Sequence, residues 1–358
     1  LPLASQAPAA SPVAAAPSAA AMPAQAGGSV IGPNAAIAAV PGDVSASASP
    51  APLAGVAASV TGLPEIPVAI ASPGLRKAAM SGDPRAVFDL ATRAADGRGM
   101  PRDPKLALKL FERAAAAGKH VLCEKPIAPT VADATAMATA CDAAGVILAE
   151  AWMTPFDARW CAAMDAVCDG VVGSVLDVDS SFTFTIGPEA TDNYRWSADQ
   201  GGGALLDVGI YCLGPIAEVW GVDPDLIEAT ALWHTTGVDA RTEATLSWAD
   251  GREARIRCSF VDAEEQRIEI IGDQASLIID ADAHTGGERA REFLLAGSDG
   301  RVSTTSVTGS DPYVGMVNAF ARAVRGDAPW PRTMTSTLAL LTLIERIASA
   351  SHVEDASR

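Results

Sequence analysis

Hydrophobic and polar positions change their rhythm twice along the chain. Residues 1–73 have no period: alanine, serine and proline dominate, only Asp43 and Glu65 are charged, and prolines from position 8 to position 73 interrupt every prospective helix. With almost no large side chains to offset the entropy of ordering, this stretch reads as a disordered, partly polyproline-like linker. Residues 74–118 switch to helical spacing. Val87, Leu90, Ala91 and Ala94 share one side of a helix that opens at Asp83-Pro84 and stops at Gly97-Arg-Gly99. Leu106, Leu108, Leu110, Phe111 and Ala114 mark a second helix, with Asp103 as N-cap, Pro104 at its first position and Gly118 closing it.

From Lys119 the pattern changes again. His120–Cys123 and Val146–Glu150 are short apolar strands around an alanine-rich helix at 130–144, the tail of an α/β unit. After a helix near 155–169, six alternating segments are present: Val175–Ile186, Leu226–His234, Glu243–Trp248, Ala254–Phe260, Arg267–Ile271 and Ala275–Ile279. Helices near 204–220, 312–325 and 333–350 complete the pattern. The expected fold is α+β. A helical-repeat hairpin (74–118) follows the Ala/Pro-rich tail (1–73), then a truncated α/β unit (119–151) and a largely antiparallel-sheet substrate and oligomerisation domain (152–358).

Composition narrows the choices. The formal charge of -17 disfavours nucleic acid as a partner, although a nucleotide can still bind through backbone amides. Six cysteines without a C-x-x-C pair, and four scattered histidines, predict reduced, mostly buried thiols in a cytoplasmic protein and no metal site. No run reaches the roughly 18 uninterrupted apolar residues of a membrane span. The start, Leu1-Pro2-Leu3-Ala4, has neither Met nor a basic segment and reads as an internal fragment rather than a signal peptide.

The chemistry lies in two clusters. One is Glu124-Lys125-Pro126 after the first strand. The other is Gly201-Gly-Gly-Ala-Leu-Leu-Asp207-Val-Gly-Ile-Tyr211, in which Asp207 and Tyr211 stand four apart on one helix face behind glycines that allow close backbone approach. Oxidising an alcohol needs a group that takes the hydroxyl proton and a cation that stabilises the developing alkoxide. A phenol, an ammonium and a carboxylate supply that set, with the ammonium expected to favour the charged form of Tyr211. Arg195-Trp196 reads equally as pocket lining and as a surface cation–aromatic pair, and Tyr313 as a pocket residue or core.

Both clusters, in this order, resemble the Gfo/Idh/MocA oxidoreductases from Lys119 to the C-terminus. The resemblance implies that Lys125 polarises the substrate oxygen, Tyr211 is the acid/base and Asp207 orients one of them. It also implies that Glu124, Lys125 and Pro126 border NAD or NADP, and that Arg195, Trp196 and Tyr313 meet a sugar, polyol or dihydrodiol. Members of this family commonly pair subunits through the open sheet face, so a homo-oligomer is expected, with Trp233 and Trp248 as apolar residues on that face. Ala78-Ala79 followed by Gly82 recurs 36 residues on as Ala114-Ala115 and Gly118, and residues 82–118 resemble a Sel1-like repeat. That suggests a join of two families near Gly118, and as a rival function a repeat-bearing scaffold or localisation protein. The family's Gly-rich first turn and ribose-reading residue have no counterpart in residues 1–118, so the expectation is an oxidoreductase by ancestry that binds its dinucleotide poorly and does not turn over.

Overall fold

A computed structural model describes residues 73–81, 86, 90, 103–187, 190 and 193–353, all within one compact unit, Val60–Arg358. The predicted linker up to residue 72 and most of the first predicted helix lie outside these residues. A helix, α1 (Pro73–Met80), precedes that stretch.

The second predicted helix is α2 (Pro104–Ala116). Asp103 caps it, accepting the Leu106 N–H at 2.9 Å, and Gly118 closes it with φ 71°. It packs on β1 (Val121–Glu124) and on α3 (Val131–Ala143), burying Leu106, Leu110 and Ala115 in the same core as Met137 and Cys141. The strand β2 (Leu148–Ala151) pairs in parallel with β1. The open carboxyl ends of these two strands are where an α/β unit places a ligand.

After α4 (Ala158–Cys168) comes a nine-stranded sheet in the order β10-β9-β8-β7-β3-β6-β5-β4-β11. Its strands are β3 (Val175–Thr185), β4 (Leu226–Trp233), β5 (Asp239–Ser247), β6 (Glu253–Ser259), β7 (Val261–Gly272), β8 (Ala275–Asp280), β9 (Arg291–Gly297), β10 (Val302–Val307) and β11 (Ser351–Val353). Most pairs are antiparallel, as expected, but β3–β6 and β4–β11 are parallel. Parallel neighbours need a crossover rather than a hairpin. The crossover from β3 to β6 carries the glycine cluster and α5 (Ile210–Trp220) over the sheet. Strands β9 to β11 escape the alternation rule. β10 is almost wholly exposed, so no apolar face marks it.

The helices α6 (Pro312–Arg325) and α7 (Met334–Ala350) close the domain, with α7 against α5 and β4. The run Ala198–Trp220 is long and apolar enough to cross a membrane by composition, yet 67 % of its most apolar 18-residue window is buried inside this domain. Four cysteines are buried, whereas Cys161 and Cys168 are exposed.

The other sheet face is ionic rather than apolar. Arg255 pairs with Glu253 at 3.1 Å, Arg257 with Glu265 at 3.2 Å and Arg267 with Glu269 at 2.7 Å, around a cleft of about 730 Å³ that lies away from Lys125 and Asp207. Trp248 does not contribute an apolar patch: it is buried, edge-on to Trp220 and beneath Arg252. Trp233 is exposed.

Candidate active site

Glu124 ends β1, and the chain turns through a cis Lys125-Pro126 bond. The turn is tied to the neighbouring strand by Glu150 at the end of β2, whose buried carboxylate accepts the Ile127 N–H at 3.1 Å and lies 3.5 Å from Arg332. Burial raises the Glu150 carboxyl above its ordinary value against the pull of Arg332, the Ile127 N–H and Lys125. Glu150 therefore belongs to the scaffold that aims Lys125.

The glycine cluster brings the second half of the site to this turn. Gly202 has backbone where a side chain would stand: a Cβ there would lie 2.4 Å from the Arg195 carbonyl oxygen. Gly203, at φ 112°, donates its N–H to that same carbonyl at 3.0 Å. Asp239 on β5 holds the next residues in place, accepting the Leu205 N–H at 2.7 Å and the Thr242 hydroxyl at 2.8 Å. The chain then makes a π-turn, Leu205–Gly209, before α5. Such turns recur at functional sites. Asp207 sits in the π-turn and Tyr211 in the first turn of α5, so the expected single α-helical face is broken between them.

Asp207 faces two cations. Lys125 Nζ donates to its carboxylate at 3.0 Å and to its main-chain oxygen at 2.6 Å, while Arg195 Nε donates to the other carboxylate oxygen at 2.6 Å. Burial alone would raise this carboxyl, but Lys125 and Arg195 outweigh it and hold it below the usual range. Asp207 is thus held as an anion between the two cations.

Tyr211 is packed by aromatic rings on several sides. Trp152 and Phe182 meet it edge-on at 6.5 and 5.5 Å, and His284 lies 6.2 Å away. Gly214, one turn on, leaves room for Trp152, which would stand 2.3 Å from a Cβ there. Lys125 Nζ sits over the Tyr211 ring, 4.6 Å from its centre. The expectation that this ammonium promotes the phenolate is not met. Burial first, then Tyr313, Asp207, Glu124 and Glu150, push the hydroxyl well above its ordinary value, so Tyr211 stands as a neutral proton donor. Absorbance titration of the phenols should accordingly superimpose for the wild type and Tyr211→Phe until the protein unfolds. A step lost from the variant below about pH 10 would contradict this environment.

The remaining expected residues divide. Arg195 joins the site through Asp207. Trp196 does not face it: its ring is buried, stacked on His234 at 4.4 Å and edge-on to Phe260. Pro126 is buried and Glu124 exposed. Tyr313 is not core but 52 % exposed, its hydroxyl raised by partial burial, with Glu124 and Lys125 acting on it in opposite senses. The sequence reading missed Glu150, Trp152, Asp239, His284 and Arg332. Only an acidic residue and a tryptophan at the end of the second strand were visible signals.

The comparisons agree with this architecture. Residues 102–151 match the model described as the oxidoreductase family's NAD-binding Rossmann fold, and residues 160–278 match the GFO/IDH/MocA C-terminal domain. The helix α2, which the sequence reading assigned to the Sel1-like helix pair, lies inside the first match. The D-xylose 1-dehydrogenase (NADP(+)) 2 of Haloferax volcanii is 33 % identical over 242 residues, 67 % of this chain and 73 % of the relative. The trans-1,2-dihydrobenzene-1,2-diol dehydrogenase of Mus musculus is 35 % identical over 148 residues, 40 % of this chain and 43 % of the relative. A solved 3-ketoreductase from Actinomadura kijaniata, in complex with NADP and TDP-benzene, shares the fold with a TM-score of 0.64 at 22 % identity, over 74 % of this chain and 87 % of that one. On its fold, its two matched domains and these relatives, the chain belongs to the Gfo/Idh/MocA family of oxidoreductases.

Proposed function

We propose that the site interconverts a hydroxyl and a carbonyl on a sugar, polyol or dihydrodiol with NAD or NADP, and that Lys125, Asp207 and Tyr211 are its catalytic residues. The observation that carries this reading is their convergence at the carboxyl ends of β1 and β2, although Lys125 and Asp207 are 82 residues apart. Lys125 spends two ammonium hydrogens on Asp207, which leaves a third to donate to the substrate oxygen. Tyr211, held neutral, gives its proton to that oxygen as a carbonyl is reduced and recovers it in the reverse direction. Asp207 keeps its charge throughout and prevents Lys125 from swinging away.

The nicotinamide end of a dinucleotide fits this arrangement, with Glu124, Lys125 and Pro126 at the strand end, and when bound it supplies the hydride chemistry. For the pyrophosphate end, no strand, Gly-rich turn and helix can be read in the sequence of residues 1–118, and among the described residues no strand pairs with the outer edge of β1. The chain is therefore read as holding NAD(P) weakly and turning over little or not at all. Fluorescence titration with NADH and NADPH should show no saturation at micromolar concentration. Micromolar saturation would overturn the weak-binding reading and leave the catalytic assignment in place.

Self-association through the ionic sheet face belongs to the same reading, since its alternating Arg and acidic rows can re-pair with a second copy. Light scattering should show a dimer or larger species whose mass falls as salt rises. A monomer at micromolar concentration in low salt would count against it.

A further inference from the structure

Arg195 is held more completely than a residue needed only to neutralise Asp207. Its main-chain N–H donates to Asn193 Oδ1 at 3.1 Å, and its carbonyl accepts the Gly203 N–H at 3.0 Å. Its Nε donates to Asp207 at 2.6 Å. Its guanidinium carbon lies 4.8 Å from the centre of the Tyr194 ring, 5.6 Å from Phe184 and 5.9 Å from Phe260. Backbone, Nε and ring faces are all engaged. The two terminal nitrogens, with four N–H donors in a rigid plane, have no protein partner among the described residues, and the side chain is 28 % exposed.

The charge is in excess as well. Lys125 already compensates the Asp207 carboxylate from its other oxygen, so the triad carries one surplus positive charge in a chain of net charge -17. Among the described residues, Glu150 is already paired with Arg332. A planar fork that is immobilised before binding loses little entropy when it engages, and its geometry matches two oxygens of one carboxylate. A neutral diol would satisfy some of the donors but leave the charge unmatched.

We propose that Arg195 is a specificity-determining residue that receives a carboxylate of the substrate, so that the site takes a sugar acid in preference to the neutral sugar. This rests on the reading of Lys125, Asp207 and Tyr211 as the reacting centre, beside which the carboxylate would be held.

The test uses the full chain and direct binding, so it does not depend on turnover. Calorimetric titration compares sodium D-gluconate, D-glucose and sodium phosphate in the wild type, Arg195→Lys and Arg195→Met, with thermal melts to establish that each variant is folded. Gluconate should bind the wild type at least about tenfold more tightly than glucose, the effect of one charge-assisted pair. That ratio should fall towards one in Arg195→Met. Arg195→Lys, which keeps the charge without the fork, should fall between them and keeps the test open if the Met variant does not fold. Equal affinities in the wild type, an unchanged ratio in either folded variant, or phosphate binding more tightly than gluconate would each overturn the proposal. Glucose binding without preference would remove Arg195 as the selector and leave the reacting centre standing. Binding of neither sugar nor acid would overturn both.

Discussion

Asp207→Ala should lose about 3–5 kcal/mol of folding stability, the range for removing one partner of a buried ion pair. The side chain is 6 % exposed and holds Lys125, 13 % exposed, and Arg195, 28 % exposed. Without it two cations remain partly desolvated with no anion between them. Arg195 cannot shed its proton, so the strain falls on the turn at Lys125 and on the loop ahead of the glycines. Asp207→Asn should lose nearly as much despite its similar shape, which separates charge from packing. The pH dependence has a definite sign. Because the folded carboxyl titrates below its unfolded value, its contribution is present above the unfolded pKa, about 3.9, and is lost as pH falls through the folded one. Urea unfolding at pH 7 and at pH 3 measures both effects. A loss under about 1 kcal/mol at pH 7 would mean that the triad is screened like a surface pair.

His284 should make the protein acid-labile in a different window. Its ring is 1 % exposed, stacked on Phe182 at 5.3 Å with an 8° tilt, and its Nε2 lies 2.8 Å from the Ser181 carbonyl oxygen. A carbonyl only accepts, so Nε2 carries the hydrogen and the neutral ring presents a bare Nδ1, which is buried with no partner among the described residues. Protonation would place a cation there, next to Arg159, whose guanidinium holds the loop through Asp282 O at 2.6 Å. Burial, and to a smaller degree Arg159, lower the His284 pKa from 6.5 to about 4, against the Ser181 hydrogen bond. Since the unfolded chain binds this proton first, stability is complete above pH 6.5 and declines by about 3 kcal/mol as pH falls to 4. His284→Phe keeps a flat ring against Phe182 and should remove this slope. The difference between wild type and variant is the quantity to measure, because Glu150, raised by burial, acts in the opposite sense. Parallel stability curves for the two proteins between pH 6.5 and 4 would show that acid lability arises elsewhere.

Elements whose causes are local can be read from the residues alone. Asp103 and the alternation in β3 to β8 mark a helix start and strands because a cap, a proline at the first turn and a period of two act within a few residues. Both chemical clusters were legible for the same reason, each being contiguous. What those residues do was decided by tertiary structure. Asp207 and Tyr211 at a spacing of four read as helical neighbours, but a π-turn separates them and gives Asp207 to Lys125 and Arg195. Tyr211 read as a phenolate beside an ammonium, but the rings of Trp152 and Phe182 and the nearby acids make it a neutral donor. Trp196 and Arg195 are adjacent in the chain, yet one is buried under His234 and the other reaches the site. His284 carried no local signal and Glu150 only its place at a strand end, because burial and partners 103 and 23 residues away give each its character. Charge state and orientation depend on desolvation and on long-range neighbours. Those come into being only when the β3–β6 crossover folds the glycine cluster back onto the ends of β1 and β2.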